Sequence, residues 1–314
     1  MSLEHLAATL EERLPGAVAR DASIAELTTY RLGGPARILV RVADDGALAV
    51  VADCLTCGQV PVLVVGRGSN LLVADRGFAG VAVVLEGAFE GVELDARQGR
   101  VRAGAAVALP VLARRAAAAG LSGLEFFVGI PGSVGGAVKM NAGGHGRETK
   151  DVLDTAWSMD LRGEQRCIVG RSAAALDFGY RTSAVRASDV VTAGEFIVTS
   201  DDPSACEERV AEIVRWRRAN QPGGANAGSV FRNPPGDSAG RLIDEAGLKG
   251  LRVGGASVSE KHANFFQADP GATAADVRGL VEEVRTKVEK ATGIDLHPEL
   301  RFVGFDDGEE RSAR

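Results

Sequence analysis

Leu3, Leu6, Leu10 and Leu14 recur at intervals that line one face of a helix, so the chain is predicted to open with a short amphipathic helix. The pattern then changes. Apolar runs at Arg37–Val42 and Val60–Val65 read as strands, with a helix over Asp45–Gly58 between them, which makes a β-α-β unit ending in Gly66-Arg67-Gly68-Ser69-Asn70. Short strands are expected at Val81–Leu85, Val92–Leu94 and Arg100–Ala103. An alanine-rich helix over Leu109–Gly120 follows, closed by its glycine, and then strands at Thr155–Asp160, Gln165–Gly170 and Glu195–Thr199. After Asp201 the composition shifts to a charged helix, Cys206–Asn220, and a Gly/Pro/Asn-rich stretch, Gln221–Asn226, which places a domain boundary near Asp202. The last third carries a helix near Arg241–Ala246, small strands at Val253–Ala256 and Phe265–Gln267, and a helix over Ala274–Thr292. In that last helix Val277, Leu280, Val281, Val284 and Val288 form one apolar stripe, read as core. The charged tail Asp306–Arg314 is expected to fray.

Composition narrows the function. A chain of 314 residues, 45% hydrophobic and 25% charged, can bury a large core and hold two or three domains. A net charge of −6 argues against nucleic-acid binding, which needs a basic face, so any anionic ligand must be held locally. No run approaches about 20 apolar residues, and Met1–Leu14 alternates leucine with charge, unlike a signal peptide, so a cytoplasmic protein is expected with no membrane partner. The cysteines Cys54, Cys57, Cys167 and Cys206 are too scattered for a disulfide framework, and the Cys54/Cys57 pair reads as part of a helix rather than as a redox motif. None of the histidines shows metal-ligand spacing, so no metal is expected, and His262 reads as structural.

The 40 glycines exceed the average share of about 7% and cluster in short runs, which suggests backbone brought close to a ligand. The first run, Gly66-Arg67-Gly68-Ser69-Asn70-Leu71-Leu72, follows an apolar strand. It lacks the third glycine of the dinucleotide fingerprint, so a phosphate cradle and a plain turn both remain open. The second, Gly129-Ile130-Pro131-Gly132-Ser133-Val134-Gly135-Gly136-Ala137 with Asn141 just beyond, is too dense for packing alone. It suits backbone wrapped round a flat or pyrophosphate-bearing ligand, with Ser133 and Asn141 as polar contacts. The third, Gly228-Ser229-Val230-Phe231, presents a hydroxyl that either serves chemistry or closes its own turn. No Gly-x-Ser-x-Gly elbow occurs, so a hydrolase triad is unsupported.

Taken in order, Gly33-Gly34-Pro35-Ala36, the Gly66 and Gly129 runs, Tyr180-Arg181-Thr182-Ser183, Gly228-Ser229-Val230-Phe231, Ala239-Gly240-Arg241-Leu242-Ile243 and Pro298-Glu299-Leu300-Arg301 resemble the UDP-N-acetylenolpyruvoylglucosamine reductase family from about Thr28 to Gly304. The resemblance implies an α+β chain: a vanillyl-alcohol-oxidase/PCMH-type FAD-binding fold of two lobes over residues 1–201, with its core at about 28–201. A smaller α+β substrate-binding domain follows over 202–298, then a return strand and tail over 299–314. It implies FAD and NADPH as cofactors, UDP-N-acetylglucosamine enolpyruvate as a small-molecule substrate, and no obligate protein partner. FAD would be held by Gly66, Arg67, Gly68, Ser69, Asn70, Leu71, Gly129, Ile130, Pro131, Gly132, Ser133, Gly135, Gly136 and Asn141, with Gly104 and Val198 as flavin-lining backbone.

The same resemblance assigns Arg181 to the substrate carboxylate, Glu299 to the developing negative charge and Ser229 to proton donation, with Tyr180, Asn233 and Arg301 in the substrate pocket. The short passage from Arg181 to Asp201 leaves no room for the tyrosine-bearing loop of one subtype, so the chain resembles the loop-lacking one. Phe265-Phe266-Gln267-Ala268 departs from the family pattern, in which asparagine commonly closes the segment. The rival readings are a sugar or alcohol oxidase on the same flavin fold and a sugar-nucleotide sensor without turnover.

Overall fold

A computed structural model of the chain describes residues 2–55, 59–163 and 166–305. The chain groups into two compact units: Met1–Arg20 with Ile38–Arg67 and Gly80–Arg217, and Asp21–Arg37 with Gly68–Ala79 and Arg218–Arg314. Each has its own core.

The first unit contains two α+β layers. In one, the helices Leu3–Arg13 and Asp45–Leu55 lay Leu6, Leu10, Leu48 and Val51, all fully buried, against a sheet ordered Val18–Ser23, Pro35–Val42, Phe78–Leu85, Val62–Val65. The expected β-α-β unit is present in chain order. Its two strands are not neighbours, because Phe78–Leu85 lies between them and pairs with Val62–Val65 in parallel. Cys54 packs on this layer from the helix Asp45–Leu55; Cys57 lies outside the described residues.

The second layer is an antiparallel sheet ordered Val169–Ser172, Leu153–Asp160, Asp189–Ile197, Arg100–Gly104, Val92–Asp95. The helix Leu109–Ala118 covers it with Leu112, Ala113, Ala116 and Ala117 inward, and turns away at Gly120, whose φ is +66°. The strand expected from Glu195 begins earlier, at Asp189, because Val190–Gly194 is buried throughout. Of the strand expected over Gln165–Gly170, Gln165 lies outside the described residues and the observed strand is Val169–Ser172.

The helix Pro203–Asn220 explains why the division falls at Arg217 rather than near Asp202. Its Cys206 and Val210 are buried, and Ile213 and Val214 pack beside them in the core of this second layer, so the charged helix belongs to the first unit.

In the second unit the helix Ala274–Thr292 lies as expected, with the whole apolar stripe Val277, Leu280, Val281, Val284 and Val288 at 0% exposure. It packs with Phe231, Ile243, Phe266 and Leu300. A strand expected over Val253–Ala256 is instead a hairpin, Arg252–Val253 against Ala256–Val258, because Gly254 and Gly255 form the two-residue turn and Gly254 takes φ +52°. Phe266–Ala268 adds the third strand. Leu71–Val73, at the end of the first glycine run, pairs in parallel with Arg301–Val303, which ties that end of the run to the C-terminal residues. The tail expected to fray lies outside the described residues.

Candidate active site

In the first unit the start of the first glycine run, Gly66, meets the second run. The strand Val62–Val65 ends at Gly66, where an added Cβ would stand 2.5 Å from Ser133 Oγ, so Gly66 lets the second run approach. That second run is more regular than expected: a 3₁₀ turn, Glu125–Gly129, leads through Ile130-Pro131-Gly132-Ser133 into a helix, Val134–Met140. Gly135 and Gly136 therefore lie in the first turn of a helix. Several amides of the run are engaged by the protein itself: Gly132 donates to Ile130 O, Val134 to Val107 O and Gly135 to Ala105 O. Gly129 has an internal reason too, since a Cβ there would meet the His145 ring at 2.9 Å. Gly136 has none of that kind. A side chain on it would meet only Ser133 Oγ, at 3.7 Å, although glycine in a helix costs about 1 kcal/mol relative to alanine.

These positions suit a pyrophosphate-bearing ligand. A methyl added on Gly136, at the start of the helix, would meet nothing closer than Ser133 Oγ. Two of the residues expected at the cofactor, Asn141 and Val198, make defined contacts within the protein. Asn141 is fully buried in a left-handed conformation, with φ 43°, and its side chain is engaged on both sides. Its Nδ2 donates to Glu148 Oε2 (3.1 Å) and Gly179 O (2.9 Å), and its Oδ1 accepts from the Lys150 amide (3.0 Å). It pins the protein. Val198 is buried in the core, and its amide donates to Gly99 O. Gly104 lines a cavity of about 440 Å³ with Asp44, Glu93, Arg102 and Thr192, and its lack of a side chain is required by the Phe89 carbonyl that crosses it.

Arg181 is also in the first unit, at the tip of a two-residue turn. Gly179 N donates to Thr182 O (3.1 Å) and Thr182 N returns to Gly179 O (3.3 Å), which leaves Arg181 at φ 58°, where glycine is usual. Its guanidinium, 19% exposed, donates to Gly143 O (3.3 Å), lies 5.0 Å from the Tyr180 ring centre and stands 4.0 Å from Glu148 Oε1. Sequence reading missed Glu148, because nothing in a lone glutamate seven residues beyond Asn141 announces that the chain doubles back there.

The second unit brings together Ser229, Glu299, Asn70 and Arg301. Ser229 bridges Phe265, the Glu299 amide donates to Val230 O (2.7 Å), Asn70 Nδ2 donates to Glu299 O (3.1 Å) and the Arg301 amide to Asn70 O (3.0 Å). Asn70 thus acts on the segment that carries Glu299. Gly68, Ser69 and Leu71 belong to this unit and Arg67, exposed, to the first, so the chain passes between units within the first glycine run. Asn233 accepts the Ala239 amide at Oδ1 (3.1 Å) and caps the turn into the helix Ala239–Glu245.

Asn264, another residue the sequence did not single out, holds the Ser229 segment flat. It is 2% exposed, accepts Phe231 N at Oδ1 and donates from Nδ2 to Phe231 O, each 2.9 Å. His262 is structural as expected: burial lowers its pKa, its Nδ1 accepts the Asn264 amide (3.2 Å), and its ring packs on Phe265. Among the described residues no helix is long and apolar enough to cross a membrane, and no three His, Cys, Asp or Glu side chains group so as to hold a metal ion.

The class is that of a flavin-binding protein, because residues 36–166 match the family model described as FAD binding domain. Residues 220–303 match a second model, UDP-N-acetylenolpyruvoylglucosamine reductase, C-terminal domain. The chain is 44% identical over 298 residues to the UDP-N-acetylenolpyruvoylglucosamine reductase of Methylorubrum populi, covering 94% of each chain, and 43% identical over 302 residues to that of Phenylobacterium zucineum, covering 94% of this chain and 99% of the relative. The crystal structure of UDP-N-acetylenolpyruvylglucosamine reductase from Thermus caldophilus is similar at TM-score 0.78 and 38% identity, covering 91% of this chain and 98% of that one. The chain belongs to the UDP-N-acetylenolpyruvoylglucosamine reductase family.

Proposed function

We infer that the protein is an FAD-dependent oxidoreductase that uses NADPH to reduce UDP-N-acetylglucosamine enolpyruvate to UDP-N-acetylmuramate, a step of peptidoglycan precursor synthesis. Identity of 44% sustained over 94% of both chains carries the reading. When bound, FAD supplies a hydride relay between NADPH and the β carbon of the enolpyruvyl group. Gly66, Ser133 and Gly136 would hold its pyrophosphate.

The remaining chemistry belongs to the chain's own side chains. Hydride arriving at the β carbon leaves an electron pair spread into the carboxylate as an enediolate, and a proton must then reach the α carbon. Arg181 faces the carboxylate with two parallel N–H donors, which a lysine does not offer. Glu299 hydrogen-bonds the developing enediolate. Ser229 gives its proton to the α carbon and fixes the stereocentre, and Tyr180, Asn233 and Arg301 contact the sugar nucleotide. The chemistry calls for no obligate protein partner, and both NADPH and the UDP-sugar are cytoplasmic metabolites, which places the reaction there.

The purified protein should release FAD on denaturation and convert the enolpyruvate to a product two hydrogens heavier, with one NADPH consumed per product. Release of FMN, or NADPH consumption that needs oxygen and ignores the enolpyruvate, would replace this reading with a flavin oxidase.

A further inference from the structure

In the second unit Asn70 meets the C-terminal segment twice. The Arg301 amide donates to Asn70 O (3.0 Å), and Asn70 Nδ2 donates to Glu299 O (3.1 Å). The strands beside it run in parallel with Arg301 opposite Leu71, so one further step of that ladder would bring the Asn70 main-chain amide to Glu299 O. The side-chain amide makes that bond instead. Asparagine suits the task, because it carries an N–H donor on a stem of one carbon and so stands in for a peptide group. The strand register does not depend on it, since Leu71, Leu72 and Val73 are buried and paired with Arg301, Phe302 and Val303.

On its other side Glu299 is tied to the serine segment. Its amide donates to Val230 O (2.7 Å), Phe231 bridges Pro298, and Leu300, 3% exposed, is set in the core. The main chain of Glu299 therefore has its N–H fixed one residue from Ser229 and its C=O fixed by Asn70, all within the second unit. We propose that Asn70 is a positioning residue for Glu299: its side-chain amide holds the Glu299 carbonyl and so sets the direction in which the carboxylate leaves the main chain. The proposal rests on the reading of Glu299 as the residue that meets the developing enediolate. It gives the Asn70 side chain to the acid, whereas the family resemblance gives Asn70 to FAD.

The consequence is a split between the two half-reactions. Asn70→Ala removes the donor and leaves the main chain of the glycine run in place. Reoxidation of reduced flavin by the enolpyruvate, read in a single turnover so that only flavin-loaded molecules count, should slow roughly ten- to hundredfold, as expected for misplacing a group at the reacting centre. NADPH should reduce the flavin at the wild-type rate, and FAD titrated by fluorescence should bind as it does to wild type. In a Glu299→Gln background Asn70→Ala should add little, because the two act as one unit.

If Asn70→Ala folds poorly, Asn70→Asp carries the same test: it fills the same space but sets an acceptor oxygen against the Glu299 carbonyl, and it should show the same selective loss. Wild-type reoxidation in these variants, equal slowing of both half-reactions, or a full additional loss in the Glu299→Gln background each overturns the proposal. So does weakened FAD binding with loaded molecules reoxidising at the wild-type rate, which would give the side chain to the cofactor. Glu299→Gln that itself reoxidises normally overturns the reading of Glu299, and wild-type protein that ignores the enolpyruvate overturns the underlying function; either takes the proposal with it.

Discussion

At the scale of single residues, Arg181 carries the most information. A non-glycine residue at φ 58° costs on the order of 1–2 kcal/mol, and here it is tolerated at the tip of a turn whose two backbone hydrogen bonds are both made. Strain of this kind persists where a side chain must point in a set direction. Arg181→Lys should keep FAD and lower turnover by about 10²-fold, read as steady-state rate at saturating enolpyruvate; an unchanged rate would remove Arg181 from the reacting centre.

Asn264 makes a complementary case. Removing its side chain leaves two buried backbone groups of Phe231 unpaired, each costing about 1–3 kcal/mol, so Asn264→Ala should lower the unfolding free energy by about 2–4 kcal/mol in denaturant titration. A change below about 0.5 kcal/mol would show that Phe231 finds other partners. Arg181, Ser229 and Glu299 were visible in the sequence only through the company of family motifs. Asn264 and Glu148 were not visible, because their meaning lies in residues 33 positions away and in a hairpin brought alongside.

Among elements, the legible ones carried a periodicity of their own. The helix Ala274–Thr292 was readable to its ends from one apolar stripe and a closing Gly293 at φ 74°. The helix Val134–Met140 was not, since Gly135 and Gly136 lower helix propensity where the helix begins, and tertiary bonds from Val134 and Gly135 amides override that preference. The hairpin at Gly254-Gly255 was read as one strand because its arms are too short to show alternation.

Gly136 separates stability from function in a measurable way. Gly136→Ala should stabilise the FAD-free protein by up to about 1 kcal/mol through helix propensity and weaken FAD retention, because the new methyl enters the stretch of backbone assigned to the pyrophosphate. Thermal unfolding without FAD and a fluorescence titration with FAD check both. Tighter or unchanged FAD binding would move the pyrophosphate elsewhere.

For the molecule as a whole, the division into units was the least legible feature. It depends on a parallel pairing between Leu71–Val73 and Arg301–Val303, some 230 residues apart, and nothing in either three-residue strand names its partner. The charge pattern also sets how the whole fold responds to acid. The pKa of His262 is lowered, first by burial and then by Lys249; that of His145 is lowered by burial and by Arg217. Burial raises Asp189, but its hydrogen bonds from Arg186 and Arg171 outweigh this and leave it lowered. Hydrogen bonds lower Asp276 and Asp295 as well, and Arg241 brings Asp237 to about 2.

Every one of these groups is more acidic folded than unfolded, so each contributes stability above its unfolded pKa that is lost as pH falls through the folded value. The unfolding midpoint should therefore begin to decline below about pH 6.5 as unfolded histidine protonates, and decline again below about pH 4. A midpoint that rises or stays level from pH 7 to pH 3 would contradict the assignment.

The account stands most directly on the reoxidation half-reaction. Stopped-flow mixing of NADPH with oxidised enzyme, and of anaerobically reduced enzyme with UDP-N-acetylglucosamine enolpyruvate, should be run on wild type and on Ser229→Ala. The predicted result is flavin reduction at the same rate in both, rapid reoxidation by substrate in wild type, and reoxidation with product formation slowed by roughly 10² to 10⁴-fold in the variant, as loss of a general acid implies. Reduced wild-type enzyme left unchanged by the enolpyruvate, or Ser229→Ala forming UDP-N-acetylmuramate at the wild-type rate, would contradict it.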